Sequence, residues 1–350
     1  MPLVRGARGA VVAPHHLATA AGLDILRQGG HAVDAAIATN AVLGVVLPSA
    51  CGIGGDAFWL IWDETTGRQT ALNGSGRAPA AADPGRIVAQ GLETLPYRGP
   101  LTITVPGAVR SWGDAHARHG RLPRADILAP AIRLAWEGFP AWDGFISAVE
   151  TTLPAVVGAL GPGSGFEQVY RPNGRAWRPG ERVRLPALAA TLDRLAEEGF
   201  EDFYEGEIAD RQAAGLGAIG CQITGADLAA HASTWTQPIS TTYRGVRVTT
   251  HPPNSSGIVA LELINILETF EPPASTAFGP LGVDDARWIH LGIEAAKLAM
   301  ADRDFHLSDP EFVEIPVAEL TSKAHAAELA RLIDPHRAAM PPASALPRGG

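Results

Sequence analysis

Apolar residues recur at helical spacing near the start of the chain. Leu17, Ala21 and Ile25 fall on one face of a 3.6-residue period, and Gly29-Gly30 follows as a helix stop. The alanine-rich stretch 33–46 has the length of a second helix, and its small side chains would let a neighbouring layer approach closely. The pattern therefore predicts two consecutive helices before residue 48.

Two strand pairs are predicted where β-forming residues flank turn signals. The segments 58–62 and 68–73 lie on either side of a polar turn that ends in Gly67. Further along, 239–243 and 246–250 are separated only by Arg244 and Gly245. Both pairs predict antiparallel hairpins.

Further segments show helical periodicity, and no internal repeat or linker interrupts the chain. Thr224 is predicted to cap the helix that begins at residue 225. The segment 161–165 is predicted to form a glycine-rich loop. We predict one α+β domain over residues 1–350, with a flexible C-terminal tail at 335–350. The additional predicted helices are 126–138, 185–199, 225–231, 258–270, 284–306 and 324–333.

Composition narrows the class of protein. The 350 residues are 46% hydrophobic and 19% charged, which allows a large core and excludes a disordered chain. The net charge of −9 is the wrong sign for a surface that binds nucleic acid through its phosphates. The most apolar region, 35–47, is too short and too interrupted to span a bilayer, so no membrane contact is predicted.

The cysteines and the N-terminus indicate the compartment. Cys51 and Cys221 could form one disulfide at most, which does not suit a stapled secreted scaffold. The first residues are basic, but no apolar stretch with a cleavage site follows. We therefore expect a cytoplasmic protein, or a periplasmic or secreted one only if a native N-terminus has been removed.

Several local motifs do not support cofactor or metal binding. The glycines at 52–55 lead into a strand, whereas a phosphate-binding loop opens onto a helix. His15-His16, the run 302–306 and the His290/Glu294 pair lack the spacing of a zinc site. No Gly-x-Ser-x-Gly elbow is present either. We predict no cofactor and no metal, and interpret these polar groups as surface or packing residues.

The loop that follows the first hairpin is the candidate binding segment. It reads Asn73-Gly74-Ser75-Gly76-Arg77-Ala78-Pro79, and loops at strand ends often carry function. The Arg77 guanidinium could bind a carboxylate through two hydrogen bonds. Composition alone favours the simpler interpretation, in which Arg77 is a solvated loop cation.

The C-terminal segment 335–350 is rich in proline, alanine and glycine and offers nothing that would pack. One interpretation is an ordinary frayed terminus. The other is that Gly350 lies at one side of a processing site.

A set of motifs spread over nearly the whole chain resembles the large subunit of γ-glutamyltransferases. They occur in the family's order, and together they are highly specific although each is weak. The motifs are 24–35, Gly52-Ile53-Gly54-Gly55, Thr104-Val105-Pro106-Gly107-Ala108, Pro238-Ile239-Ser240 with Tyr243-Arg244-Gly245, 252–257 with Asn265-Ile266-Leu267-Glu268, Glu294-Ala295-Ala296-Lys297, and Ala301-Asp302-Arg303.

The resemblance implies an N-terminal-nucleophile hydrolase with an αββα sandwich. In that family a precursor cuts itself, and the new N-terminal threonine of a small subunit is the nucleophile. The resemblance then implies that Gly350 lies at or beside the processing site and that no catalytic residue belongs to this chain. It also implies a small-subunit partner from the same precursor and a small-molecule amide substrate. Assembly into a dimer of heterodimers stays open.

One departure from the family concerns specificity. The γ-glutamyl-specific members carry an arginine in an Arg-Glu-x-Ala-Pro pattern that pairs with the substrate's α-carboxylate. Here Ser75 takes the arginine's place, Gly76 replaces the glutamate, and Arg77 lies two residues later. We assign Arg77, Ser75 and Asn73 to substrate binding.

Three functions stay open. The preferred one is an amidohydrolase with changed acyl specificity, for oxamate-like or dicarboxylic acyl amides. The alternative is true γ-glutamyl hydrolysis or transfer, from glutathione and related compounds, with Arg77 in place of the missing arginine. The third is a non-catalytic relic that is never processed.

Overall fold

Helices form most of the secondary structure in the computed structural model, which describes residues 5–89, 91–161, 165–279 and 282–340. They alternate with short strands, as expected for an α+β chain. The α-helices are α1 (His16–Arg27), α2 (Ala32–Val46), α3 (Pro84–Ala89), α4 (Ala108–His119), α5 (Arg124–Glu137), α6 (Asp143–Leu160), α7 (Gly165–Tyr170), α8 (Pro186–Glu198), α9 (Asp202–Glu205), α10 (Glu207–Ala218), α11 (Gly225–Ala229), α12 (Gly257–Glu268), α13 (Ala286–His306), α14 (Val317–Leu320) and α15 (Lys323–Ala330).

The strands form small sheets. The order β1-β2-β5 makes a three-stranded sheet with β2 in the middle, and three further pairs are β3-β4, β6-β7 and β8-β9. The strands are β1 (Ala57–Asp63), β2 (Arg68–Gly74), β3 (Phe139–Pro140), β4 (Arg182–Val183), β5 (Thr234–Thr236), β6 (Ile239–Tyr243), β7 (Val246–Thr250), β8 (Phe278–Gly279) and β9 (Gly282–Val283).

The described residues fall into two compact units, and each is described by itself. The first unit contains Phe58–Asn73 and the chain from Trp235 onward, and the second contains residues 5–57 and Gly74–Thr234. The single domain expected over residues 1–350 stays a prediction.

In the first unit, α12 lies against both β6 and β7 and also against α13 and α15. The side chains between these three helices form an apolar cluster that includes Ile266, Leu291, Leu298 and Leu329. Burial of such side chains is the main term that holds the helices together.

In the second unit, α2 is the central helix and packs against α1, α4 and α5, while α5 also packs against α8. Twelve of its fifteen residues are buried, from Val33 to Val46. A helix that is apolar on all sides must be covered on all sides, which explains why it lies inside the unit.

The predicted hairpins are confirmed. The β6-β7 pair has the predicted bounds, with Tyr243 opposite Val246, and Arg244 takes the positive φ of 48° that its tight turn needs. In the first hairpin, β1 extends one residue beyond both of its predicted ends. Strand β2 begins at the predicted residue and extends one residue beyond its predicted C-terminal end. Thr224 caps α11 as predicted, because its side chain accepts a hydrogen bond from the Asp227 N–H.

Two predicted loops need comment. Gly165 begins α7 rather than ending a loop, while residues 162–164 of the predicted loop lie outside the described residues. Of the predicted tail, 335–340 is described, and Ala339 there donates its N–H to Glu294 at 3.2 Å and accepts from Lys297 at 3.0 Å. That end of the chain therefore contacts α13, contrary to the expectation that nothing in it would pack.

The remainder of the predicted tail, with Gly350, lies outside the described residues. Among the helices that are described, none combines the length and the apolar character needed to cross a bilayer.

Candidate functional site

The loop 75–79 leaves the end of β2 and is fixed through its backbone. The Gly76 N–H donates to Asp56 Oδ1 at 2.9 Å, and the Arg77 carbonyl accepts from the Val105 N–H at 2.9 Å. After the loop, the Ala80 N–H donates to Asp227 Oδ1 at 2.8 Å. The loop therefore has a defined path even though the Arg77 side chain is exposed.

Gly76 is required by lack of space. A Cβ atom at this position would lie 1.7 Å from the Val105 carbonyl oxygen, and one at Gly107 would lie 2.2 Å from the Gly74 carbonyl oxygen. Both neighbours are backbone atoms, which cannot move aside as a flexible side chain would. The two segments can therefore approach this closely only with glycine at both positions.

Tyr204 fixes the segment against which the loop lies. Its hydroxyl donates to the Pro106 carbonyl at 2.8 Å and accepts from the Arg110 N–H at 2.8 Å. The side chain is fully buried, and this burial raises the pKa of Tyr204 well above its usual range. Neutral Tyr204 is therefore the donor and acceptor that holds the start of α4.

A guanidinium and an imidazole both contact the ring of this tyrosine. The Arg110 guanidinium lies over the Tyr204 ring, with 4.3 Å between its central carbon and the ring centroid, and reaches Glu205 at 3.7 Å. On the same ring, His231 stacks with 5.6 Å between centroids. Such a stack of cation, aromatic ring and imidazole is stabilised when it is removed from water.

His231 is neutral at pH 7 in this environment. It is 3% exposed, and burial, followed by the positive charges of Arg110 and Arg77, lowers its pKa to about 4. Among the described residues neither ring nitrogen has a hydrogen-bond partner. The positive charges of Arg110 and Arg77 thus both act on His231, and positive charges of this kind attract a carboxylate.

Asp227 links the loop to α11. Although burial raises its pKa, hydrogen bonds from the Thr224 side chain and the Ala80 N–H outweigh that effect and hold the pKa of Asp227 below its usual range. The carboxylate is therefore ionised at neutral pH while it holds the loop.

The three predicted site residues belong to two units, and each is described within its own unit. Ser75, half-buried, and Arg77 share the loop 75–79 of the second unit. Asn73 belongs to the first unit, where its side-chain amide donates to Asn254 Oδ1 at 2.8 Å. A binding role for Ser75, Arg77 and Asn73 stays a prediction.

Sequence reasoning missed Arg110, Tyr204, His231 and the two aspartates. The two aspartates lie 20 and 147 residues from the backbone N–H groups that they bind, so no local pattern relates them to the loop. The only available signal was the Thr104–Ala108 motif, which the resemblance had already singled out.

Comparison with known proteins identifies the group to which the chain belongs. Residues 18–347 match the gamma-glutamyltranspeptidase family. The chain is a member of this family. Its fold is that of the gamma-glutamyltranspeptidase family, and the α+β class predicted from the sequence is confirmed.

Members of the gamma-glutamyltranspeptidase family that are named for different activities are similar to this chain. A glutathione hydrolase-like proenzyme (YwrD) of Bacillus subtilis strain 168 is 38% identical over 331 residues, which are 94% of this chain and 61% of that protein. An oxamate amidohydrolase proenzyme of Klebsiella pneumoniae is 36% identical over 348 residues, 98% of this chain and 62% of that protein.

A solved structure gives the same result. The cephalosporin acylase from Bacillus halodurans is 39% identical, with a TM-score of 0.83 over 91% of this chain and 58% of the acylase. The chain thus spans about three fifths of the length of each of these relatives.

Proposed function

We propose that this chain is the large subunit of an amidohydrolase that forms an acyl-enzyme on the N-terminal threonine of a small subunit. Its acyl group differs from γ-glutamyl and is oxamate-like or dicarboxylic. The observation that carries this proposal is the conformation of the loop 75–79, where Gly76 leaves no space for the family's Arg-Glu pattern.

The steric argument is direct. On this backbone any side chain at position 76 meets the Val105 carbonyl oxygen, so a glutamate there would force the two segments apart. The preceding Ser75 has a short hydroxyl side chain instead of a guanidinium. A substrate carboxylate bound by arginine at position 75 therefore has no counterpart here.

The positive charges of Arg77 and Arg110 supply a different carboxylate site. Both positive charges lower the pKa of His231, and a bound anion would stabilise them. A dicarboxylic or oxamate-type acyl group brings a carboxylate in addition to the amide. This chain would then hold the acyl end while the small subunit supplies the chemistry.

The reaction divides into two steps. The threonine hydroxyl attacks the amide carbon, its proton passes to the threonine's own α-amine, and the protonated amine of the substrate leaves. Water then attacks the ester, releases the acid and restores the hydroxyl. The α-amine is suited to this work because its ordinary pKa is about 7.7 to 8.0.

Two observations support a partner chain from the same precursor. Both curated relatives are named proenzymes and extend well beyond the matched region. In addition, β1 is an edge strand that exposes Phe58, Leu60 and Trp62 at alternate positions, with 44%, 42% and 57% of each side chain accessible. A large apolar strand face of this kind requires a covering partner, and we assign it to the small subunit.

True γ-glutamyl hydrolysis or transfer is the second candidate. Arg77 lies two residues beyond the family's arginine, which in an extended segment keeps the same side and moves the Cα by about 6 to 7 Å. A relative named as glutathione hydrolase-like is consistent with this alternative. Arg77 would then bind the α-carboxylate from a displaced position.

A comparison of kcat/KM among substrates decides between these two candidate functions. The purified protein is given γ-glutamyl-p-nitroanilide, oxamate and a glutaryl amide, and kcat/KM is measured for each. We expect oxamate or the glutaryl amide to be turned over at least about tenfold better, the effect of roughly 1.4 kcal/mol in transition-state binding. Preferred turnover of the γ-glutamyl compound would establish the second candidate instead.

Mass spectrometry tests processing independently of substrate. The mature protein is expected to contain this chain and a second chain that begins with threonine. A single uncut polypeptide in an otherwise folded preparation would contradict the acyl-enzyme proposal and leave the non-catalytic relic.

A further inference from the structure

Three polar side chains meet inside the first unit, between helices that otherwise pack through apolar residues. Glu262 lies on α12, Asp302 on α13 and His325 on α15, and all three are at most 3% exposed. Each offers one potential ligand atom, and these atoms lie within 4.8 Å of one another. The surrounding cluster, which includes Ile266 and Leu298, keeps the group out of water.

The distances within this triad are those of a compact ligand set. His325 Nε2 lies 2.6 Å from Asp302 Oδ2 and 3.8 Å from Glu262 Oε1. Tetrahedral Zn²⁺ with bonds of about 2.0–2.1 Å separates its ligand atoms by about 3.3 Å. The two observed distances bracket that value, so shifts of roughly 0.5 to 0.7 Å would create the coordination geometry.

The triad also leaves polar atoms without partners. Neither Glu262 Oε1 nor His325 Nδ1 has a hydrogen-bond partner among the described residues, and both atoms are buried. An unpaired buried oxygen destabilises the folded chain, and a bound cation would give it a partner.

We propose that Glu262, Asp302 and His325 bind one divalent transition-metal ion of the Zn²⁺ class. The imidazole ligand favours zinc and related ions over Mg²⁺ and Ca²⁺. Those two ions prefer oxygen ligands and usually bind more ligands than this triad offers. The ion gives Glu262 Oε1 a partner. Because the ligands come from three helices, bound metal would cross-link α12, α13 and α15.

This proposal departs from the sequence prediction that no metal binds. That prediction considered the run 302–306 as a local motif, in which the spacing is wrong. The ligand partner of Asp302 is instead His325, 23 residues away on another helix. The proposal is independent of the amidohydrolase activity proposed above.

Metal content provides the test. The protein expressed from its natural gene is incubated with Zn²⁺, freed of unbound metal by gel filtration, and measured by inductively coupled plasma mass spectrometry. We expect about one Zn²⁺ per chain and a higher unfolding temperature with Zn²⁺ than after chelation, as for any ligand of the native state. Asp302→Asn and His325→Gln should each weaken zinc binding at least about tenfold.

Glu294→Gln is the matched control, because Glu294 is also buried on α13 but pairs with Lys297 at 2.6 Å. Its zinc content should equal that of the wild type. Wild-type protein that retains no zinc would overturn the proposal, whether or not the variants fold.

X-ray absorption spectroscopy at the zinc edge examines the ligands themselves. We expect a first coordination shell of nitrogen and oxygen atoms at about 2.0–2.2 Å that includes an imidazole. A shell without an imidazole would equally reject the proposal. Neither measurement reads catalytic activity, so a failure here leaves the proposed function untouched.

Discussion

Arg77 combines an exposed charge with a fixed backbone. Its carbonyl is bonded to Val105, and the residue before it is held by Asp56. A guanidinium on a fixed loop loses less freedom on binding than one on a mobile loop, which favours carboxylate recognition. If Arg77 were only a solvated loop cation, its replacement would leave kcat/KM unchanged.

Arg77→Ala should lower kcat/KM for a carboxylated substrate by about 10- to 100-fold. This is the effect of removing a hydrogen-bonded charge pair of roughly 1.5–3 kcal/mol. Initial rates at low substrate concentration give the ratio directly. Arg133→Ala, on the exposed side of α5, is the control, and equal rates in both variants would return Arg77 to a solvated cation.

His231 makes stability depend on pH. Its pKa falls to about 4 in the folded protein from an ordinary 6.5, so the unfolded chain binds the proton more readily between these values. Stability is therefore lost as pH falls from about 6.5 to about 4, by at most about 3 kcal/mol from this residue.

His231→Phe should remove this loss while keeping a ring against Tyr204. Denaturant unfolding at several pH values measures the free energy of unfolding, and the variant should show a flatter profile than the wild type. His336→Phe serves as the control because His336 is exposed. Parallel profiles for wild type and His231→Phe would disprove the assignment.

At the level of elements, the Tyr204 hydroxyl connects α9 to the start of α4. Both of its hydrogen bonds go to backbone groups near Pro106 and Arg110. Tyr204→Phe leaves a buried carbonyl and a buried N–H with one partner fewer, which should cost about 1–3 kcal/mol of unfolding free energy. Thermal or chemical denaturation measures the cost.

Tyr97→Phe is the matched control, since Tyr97 is 93% exposed and loses the same hydroxyl in water. The loop 75–79 is hydrogen-bonded to the segment that Tyr204 holds, so Tyr204→Phe should also reduce kcat/KM modestly. An unchanged stability would show that Tyr204 does not position that segment.

Elements with a local signal were predictable, and those that depend on distant contacts were not. The β6-β7 hairpin was predicted to the residue because strand-forming residues flank a two-residue turn. Helix α6 was missed, since Pro154 within it reads as a helix breaker. In the candidate site, Arg77 and Ser75 were proposed from the motif and their binding role stays a prediction, whereas His231 depends on packing against Tyr204.

For the whole molecule, the exposed face of β1 determines how the chain behaves alone. Phe58, Leu60 and Trp62 form a row on an edge strand, which is a template for pairing with other chains. We therefore expect residues 1–350, produced without the proposed small subunit, to be poorly soluble or unfolded. Light scattering and far-ultraviolet circular dichroism, compared with the proposed two-chain protein, provide the check.

A Leu60→Lys variant of the isolated chain should be more soluble, because an edge-strand lysine opposes pairing. The same change should impair assembly of the two-chain protein. A well-folded, monomeric wild-type chain would exclude an obligatory partner on this face.

The close approach of Gly76 to Val105 also limits how this scaffold could be redesigned. An engineer who wished to install γ-glutamyl specificity by writing Arg-Glu at positions 75 and 76 would place the new Cβ inside the Val105 carbonyl. Library selection at these two positions alone should fail, and successful designs should carry compensating changes in the 104–108 segment. Under the proposed function, acyl preference would then depend on two chain segments that must be exchanged together.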